Sequence, residues 1–168
     1  MTNASYSLPR DEPPIRISVT PYSAEEILRL FLALYESLDF SPHLAELGIT
    51  ALHIRRRHKA LREFRALSIA LWRLALRKSF PQDADAFFAA LVETAPFLAG
   101  SGKDRARLRE RVNVYVDIME GKKDSDFLPV ATALVETLAP RAGDGARLRL
   151  KLSLLIRGLY TLIFEKLV

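Results

Sequence analysis

The chain has 168 residues, of which 49% are hydrophobic and 27% charged, and this composition excludes a disordered or collagen-like chain. It contains no cysteine, which excludes disulfide frameworks, thiolate nucleophiles and cysteine-ligated zinc. The formal net charge of +5 favours acidic partners and carries no information about the fold.

The first 22 residues contain four prolines and show no helical period, so we expect residues 1–22 to form an extended or mobile N-terminal arm. Within it, residues 15–20 alternate apolar and polar side chains, which is the period of a strand. Such a segment either lies on the helices as a tail or adds itself as a strand to a partner. No secretory signal or transit peptide is visible, and the apolar stretch 152–164 is too short to span a bilayer. We therefore expect a cytoplasmic protein without a transmembrane helix.

From Ser23 onward the pattern of apolar side chains is helical, and residues 23–168 are expected to form a single helical domain. Ser23 and Glu26 have the spacing of a capping box at the start of the first helix. Further capping residues, glycines and prolines divide the rest of the chain. They predict helices over 24–38, 42–48 with Ser41 as N-cap, 51–79, 84–96 with Asp83 as N-cap, 103 or 104 to 121, 125 or 126 to 140, and 146–168.

Two short motifs occur twice in the second half of the chain. The pentapeptide ALVET stands at 90–94 and 133–137, and the tetrapeptide ARLR stands at 106–109 and 146–149. Each ALVET falls on a first helix and each ARLR opens a second, so the motifs predict two copies of one helical hairpin. The offsets are 43 and 40 residues, and we expect the difference of three to fall in the loop, where insertions are tolerated. The predicted hairpins are 83–121 and 125–168.

A hairpin repeat of roughly 40 residues has the period of HEAT and armadillo arrays. Residues 134–138, LVETL, followed by 147–154, RLRLKLSL, resemble the HEAT-like helices that precede the PCI domain in translation initiation factor subunit M. The resemblance covers about residues 85–164 and rests on leucine and arginine at helical spacing. It implies a scaffold of stacked helices. The expected fold is all-α, with antiparallel helical hairpins stacked as a short HEAT-like solenoid or as an irregular helical bundle.

No motif for catalysis or cofactor binding is present, since the chain lacks G-x-S-x-G, Walker A, G-x-G-x-x-G and H-E-x-x-H. The three histidines, His43, His53 and His58, do not have the i, i+4 spacing of a zinc-binding helix. Residues 124–126 begin like a calcium loop but lack its glycine and distal glutamate, so helix capping is expected there. We expect no enzymatic activity, no cofactor and no bound metal.

The helix predicted over 51–79 carries nine basic residues and one acidic residue, Glu63. At 100° per residue, five of the basic side chains fall within about 60° of one another, opposite apolar positions. These five are Arg55, Lys59, Arg62, Arg73 and Arg77. Such a basic face is a solvated surface, a contact for nucleic acid or an acidic protein, or a helix that binds membrane surfaces. A second basic cluster lies in and around the first ARLR, at the start of its helix. It comprises Lys103, Arg105, Arg107, Arg109 and Arg111.

The last predicted helix, 146–168, is apolar around most of its circumference. It either packs centrally within the monomer or forms a seam with a second copy or another protein. In the second case the expected contacts are Leu155, Leu159, Leu162 and Phe164. Together these features predict a non-enzymatic helical scaffold or protein–protein interaction module, with a protein partner or a homodimer. The alternative is an RNA-binding or ribosome-associated helical protein that uses the basic face to bind RNA or another acidic partner.

Overall fold

A computed structural model of the protein describes residues 22–94, 101–120, 126–139 and 143–168. This part of the chain is all-helical, with 83% of its residues in helix and no strand. None of its helices is long and apolar enough to cross a lipid bilayer. The predicted N-terminal arm, with the alternating segment 15–20, lies outside the described residues. The seven helices are α1 (Ala24–Ser37), α2 (Ser41–Glu46), α3 (Ile54–Ser79), α4 (Ala84–Thr94), α5 (Gly102–Glu120), α6 (Leu128–Leu138) and α7 (Gly145–Leu167).

Side-chain caps explain where several helices begin. The predicted capping box of α1 is confirmed: the Glu26 N–H donates to Ser23 Oγ at 3.2 Å, and the Ser23 N–H donates to the Glu26 carboxylate at 2.7 Å. The side chains of Ser101 and Asp144 each accept the backbone N–H of the third residue that follows, at the starts of α5 and α7. These bonds satisfy amide groups that have no partner inside the helix.

Two helix starts differ from the prediction. α3 begins at Ile54 instead of 51, because the Thr50 N–H donates to His53 Nδ1 at 3.2 Å and holds the preceding residues in a turn. Ser41 is the first residue of α2 instead of its N-cap, since its N–H donates to Asp39 Oδ1 at 2.8 Å. In both places a local side-chain bond to the backbone competes with the helical pattern.

The central helix of the fold is α3, which packs against α4, α5, α6 and α7. All seven side chains of the uncharged run 66–72 are buried, and Trp72 has no exposed surface. The sequence predicts a basic face opposite an apolar face on this helix, and over the run 66–72 the helix has no exposed face. A helix without charged side chains over almost two turns can be covered on every side, and it then joins the neighbouring helices into one core.

α7 buries one face and leaves the other exposed. Its buried side chains recur every three or four residues and face α3 and α6: Leu148, Leu152, Ile156, Leu159, Ile163 and Leu167. On the opposite side Leu150 and Leu154 are each 57% exposed. The sequence left open whether this helix is central or a seam. The structure gives the central position to α3 and places α7 at the periphery of the core.

The duplicated motifs occupy equivalent places in the chain. Each ALVET lies at the C-terminal end of a helix, α4 or α6, and its leucine, Leu91 or Leu134, is buried. Thr94 and Thr137 each donate a hydrogen bond to the carbonyl oxygen four residues earlier, at 2.5 and 2.8 Å. The five letters therefore form the same local structure twice.

The three-residue difference between the motif offsets does not fall in the loop, contrary to the prediction. The N-cap residues Ser101 and Asp144 are 43 residues apart, as are the two pentapeptides, so each N-cap stands seven residues after the last residue of its ALVET. The additional residues lie in the first turn of α5, which shifts the first ARLR along that helix. Three residues correspond to about 300° of rotation. α5 and α7 therefore present different faces relative to their caps, and α5 packs chiefly on α3 whereas α7 packs on both α6 and α3.

Two glycines should respond to alanine substitution with opposite signs. Gly48 has φ 67°, a left-handed conformation, so Gly48→Ala should lower the free energy of unfolding by about 1 kcal/mol. Gly158 lies within α7, and a Cβ added there meets no atom within 4 Å. Gly158→Ala should therefore raise the free energy of unfolding by about 0.5–1 kcal/mol. Urea denaturation of both variants measures this, and changes of the same sign would contradict the assigned backbone conformations.

Candidate functional site

A cleft of about 570 Å³ lies between the N-terminal halves of α3 and α5, and we call it the α3–α5 cleft. It joins basic residues of the segment 59–65 to basic residues of the segment 105–111, which lie 40 or more residues apart in the sequence. An excess of positive side chains in a concave site concentrates positive potential there. Its charged lining consists of Lys59, Arg62, Glu63, Arg65, Asp104, Arg105, Arg107, Glu110 and Arg111.

One side of the cleft is built on a buried carboxylate. Glu63 is only 7% exposed and forms an ion pair with Arg111 at 2.7 Å. The hydroxyl of the buried Tyr115 donates to the same carboxylate oxygen at 2.6 Å, and Arg111 also donates to the tyrosine hydroxyl at 3.1 Å. Burial, together with the bond to Glu63, raises the pKa of the Tyr115 hydroxyl above its usual value. This closed network fixes Arg111 and ties α5 to α3.

Three arginines at the cleft are available to a ligand. Arg62, Arg105 and Arg107 are exposed, and none of them makes a side-chain hydrogen bond or ion pair within the described ranges. By contrast, Lys59 Nζ donates to the Thr137 carbonyl at the end of α6, at 2.9 Å. Since arginine presents several donors in a planar fork, free guanidinium groups around one cleft suit an anionic ligand.

The basic face predicted on the helix over 51–79 is split into two parts. Lys59 and Arg62 line the α3–α5 cleft, and Arg55 is exposed near the start of α3. Arg73 and Arg77 lie near the other end of the helix, outside the cleft lining. A helical wheel places all five on one side, but it contains no information about which neighbouring helices cover that side.

Arg73 and Arg77 contact other helices. Arg77 forms ion pairs with Glu120 at the end of α5 and with Asp85 in α4, the latter at 3.7 Å. The guanidinium of Arg73 lies over the ring of Phe88, 4.9 Å from its centroid, and 4.0 Å from Asp85. Arg73 and Arg77 are therefore already engaged by side chains of α4 and α5, and a binding face that they share with Arg62 stays a prediction.

Several residues of the cleft were not predicted as site residues. Arg105 and Arg107 belong to the second basic cluster, which the sequence displays but does not place beside α3. Glu63 could have been noticed as the single acid in a strongly basic helix. When a single acidic residue falls on the apolar side of a basic helix, it is expected to be buried and paired with a basic side chain.

Three of the four predicted apolar contacts line a second groove, of about 240 Å³, between α7 and the segment 38–43. Leu159 is buried in the core, Leu155 is half-buried, and Leu162 is 37% exposed. Phe164 is half-buried and is not part of the groove lining. The four residues therefore do not form one exposed seam, and Leu159 contributes to the packing of the monomer.

The described part of the chain contains no group of three or more histidine, aspartate or glutamate side chains placed to hold a metal ion. His53 Nδ1 lies against Thr50 in the turn before α3. Asp126, from the segment that begins like a calcium loop, accepts the Leu128 N–H at 3.2 Å at the start of α6. The N-cap of α6 is Phe127, which forms no side-chain cap bond, so Asp126 contacts the first turn from one residue before the N-cap.

Tyr115→Phe should lower the free energy of unfolding by about 1–2 kcal/mol near pH 8, because it removes a buried donor from Glu63. A raised pKa in the folded state means that the stabilisation by the hydroxyl is complete below about pH 10, the pKa of an unperturbed tyrosine, and declines above it. The difference between the wild type and Tyr115→Phe should therefore shrink as the pH rises above about 10. Denaturant unfolding at several pH values measures it, and a difference independent of pH would contradict the assigned environment of Tyr115.

A scan against protein-family models and searches of curated proteins and of solved structures found no significant match to this chain.

Proposed function

We propose that the protein is a non-enzymatic helical interaction module that holds an acidic segment of a partner protein in the α3–α5 cleft. The observation that supports this proposal is the convergence of two basic clusters around one concave site. Arg62, Arg105 and Arg107 retain donors that no other group in the described ranges uses. A cleft of about 570 Å³ has the size of sites that take a small ligand or a short stretch of peptide.

The contacts within the cleft support binding by a rigid framework. Arg111 is held by Glu63 and Tyr115, so one wall does not need to be ordered when a ligand arrives. The exposed arginines act at longer range, because a concentrated positive potential accelerates the approach of an acidic partner. The partner therefore meets a formed wall and three exposed arginine side chains.

RNA binding is the alternative function, and two features of the cleft favour protein over RNA. Proteins that bind single-stranded RNA stack bases on exposed aromatic side chains, but none of the described residues that line the cleft is aromatic, and Trp72 and Tyr115 are fully buried. Asp104 and Glu110 also line the cleft, and RNA has no cationic group to pair with them. The same carboxylates can pair with lysine or arginine residues of a peptide.

The stacked arrangement of hairpins is part of the proposal. The equivalent positions of the two ALVET segments and the 43-residue spacing of the N-caps support two copies of one unit. The resemblance to HEAT-like helices remains a prediction. We also propose that Leu155 and Leu162, in the groove beside α7, add apolar contact area to the interaction with the same partner.

A salt titration tests the proposed function. A fluorescently labelled oligoglutamate peptide should bind at low ionic strength and lose at least about 10-fold in affinity between roughly 25 and 200 mM salt, because exposed charge pairs are screened. An oligouridylate of the same length is the comparison and should bind more weakly. Absence of peptide binding at low salt would refute the proposal, and tighter binding of the oligouridylate would establish the RNA alternative.

A further inference from the structure

The basic residues of the α3–α5 cleft are almost all arginine. Of the six basic lining residues in the described part of the chain, five are arginines and one, Lys59, is a lysine. Lysine side chains would be enough to attract a negatively charged ligand without further selectivity. Arginine also offers paired hydrogen-bond donors that match the oxygens of a carboxylate or a phosphate. The composition of the lining therefore indicates recognition of a planar or tetrahedral oxyanion.

The charge balance of the cleft distinguishes between these two oxyanions. Glu63 neutralises Arg111, while Asp104 and Glu110 stand among the remaining arginines and compete for them. A carboxylate of a partner carries one negative charge, the same as each of the two cleft carboxylates with which it competes for the arginines. A phosphate monoester brings nearly two charges and three acceptor oxygens, enough to engage three guanidinium groups together. Three is the number of cleft arginines without a hydrogen-bond or ion-pair partner in the described ranges.

The start of α5 adds little to the recognition of the anion. Ser101 Oγ accepts the N–H of Asp104, and the Asp104 carboxylate lies in the first turn and accepts a hydrogen bond from the same hydroxyl at 2.6 Å. A negative side chain at this position already offsets the positive end of the helix. The side chains of the arginines, and not the backbone amides of α5, are therefore the ligands for an incoming anion.

We propose that the α3–α5 cleft binds a phosphorylated side chain of the partner protein through the guanidinium groups of Arg62, Arg105 and Arg107. The proposal rests on the proposed function, since it specifies the chemistry of the acidic segment that the cleft holds. Arg111 has a positioning role: its bonds to Glu63 and Tyr115 tie α5, which carries Arg105 and Arg107, to α3, which carries Arg62.

Three peptides that differ at one central position test this proposal. The position carries phosphoserine, glutamate or serine, and the flanking residues are the same mixture of glycine and glutamate. Titration calorimetry with the full chain should give an affinity for the phosphoserine peptide at least about 10-fold higher than for the glutamate peptide. The preference should fall several-fold between about pH 7.5 and 5.5, because the phosphate loses its second charge near pH 6 and no histidine lines the cleft.

Variants of the arginines locate the site. Arg105→Lys combined with Arg107→Lys keeps the charge but removes the fork of donors, and it should lose most of the preference for phosphoserine while still binding the glutamate peptide. Arg147→Lys, on an exposed position of α7 outside the cleft, is the matched control and should keep the preference. Circular dichroism verifies that each variant is folded.

The outcomes separate the two proposals. Equal affinity for the phosphoserine and glutamate peptides would overturn the phosphate inference and leave the proposed function intact. Binding of neither peptide would overturn both. A preference for phosphoserine that survives the double lysine variant would show that the phosphate lies elsewhere, and tighter binding of an oligouridylate than of the phosphoserine peptide would identify RNA as the source of the phosphate.

Discussion

Replacing Trp72 with alanine should lower the free energy of unfolding by about 3–5 kcal/mol, the range observed for truncation of a large buried aromatic side chain. Trp72 has no exposed surface and is the largest of the fully buried side chains. Its ring centroid lies 5.0 Å from that of Phe31 in an edge-on arrangement, which links α1 to α3. Since the total stability of a domain is about 5–15 kcal/mol, the loss would be a large fraction of it.

Equilibrium unfolding in urea measures this effect, and two control variants define its origin. The indole N–H of Trp72 has no hydrogen-bond partner within the described residues, so its stabilisation comes from packing. Trp72→Phe, which keeps an aromatic ring, should therefore cost less than Trp72→Ala. Leu52→Ala, at a side chain that is 91% exposed, should change the stability by less than about 0.5 kcal/mol. A Trp72→Ala variant within about 1 kcal/mol of the wild type would contradict the central position of α3.

Reversing the charge of Arg62 and Arg105 together should weaken binding of an acidic peptide by about 100-fold or more. The two substitutions to glutamate remove two positive charges from opposite walls of the α3–α5 cleft and place two negative charges there. Like charges brought together at an interface cost several kcal/mol, and each 1.4 kcal/mol corresponds to a factor of about ten. Both side chains are exposed, so the fold should tolerate the change.

Two double variants with the same change in net charge provide the comparison. Arg109→Glu with Arg147→Glu alters exposed arginines outside the cleft lining and should change the affinity only a few-fold. Arg73→Glu with Arg77→Glu should leave most of the binding intact and should instead destabilise the protein, because it places acids beside Asp85. If this second pair reduced binding as strongly as the cleft variant, the continuous basic face predicted from the helical wheel would be correct.

Most helices could be predicted from the sequence, because their ends carry local signals. The capping box at Ser23 acts within one turn of helix and requires no information about the rest of the fold. The start of α3 was predicted less well, since the bond between Thr50 and His53 depends on the geometry of a turn that the apolar pattern does not report. The central position of α3 could not be predicted, because it depends on how four other helices pack around it.

The candidate site was predicted in part. Both basic clusters are visible in the sequence, and the sequence predicts Lys59 and Arg62 as binding residues. Their convergence with Arg105 and Arg107 is a property of tertiary structure, since it depends on α5 running alongside α3. The same limitation explains why the sequence does not predict the ion pairs of Arg77, since its partners on α4 and α5 are distant in sequence. Side chains on one helical face share a function only where the neighbouring helices leave that face open.

The most direct test of a binding site in the α3–α5 cleft is to map an acidic peptide on the protein by NMR, following the backbone amide signals during a titration. We predict that the largest shifts fall in two separate stretches of sequence, 59–65 and 104–111, which line opposite walls of the cleft. Shifts that instead cluster on α7 around Leu155 and Leu162, or that spread evenly over all exposed basic residues, would contradict the assignment of binding to the cleft.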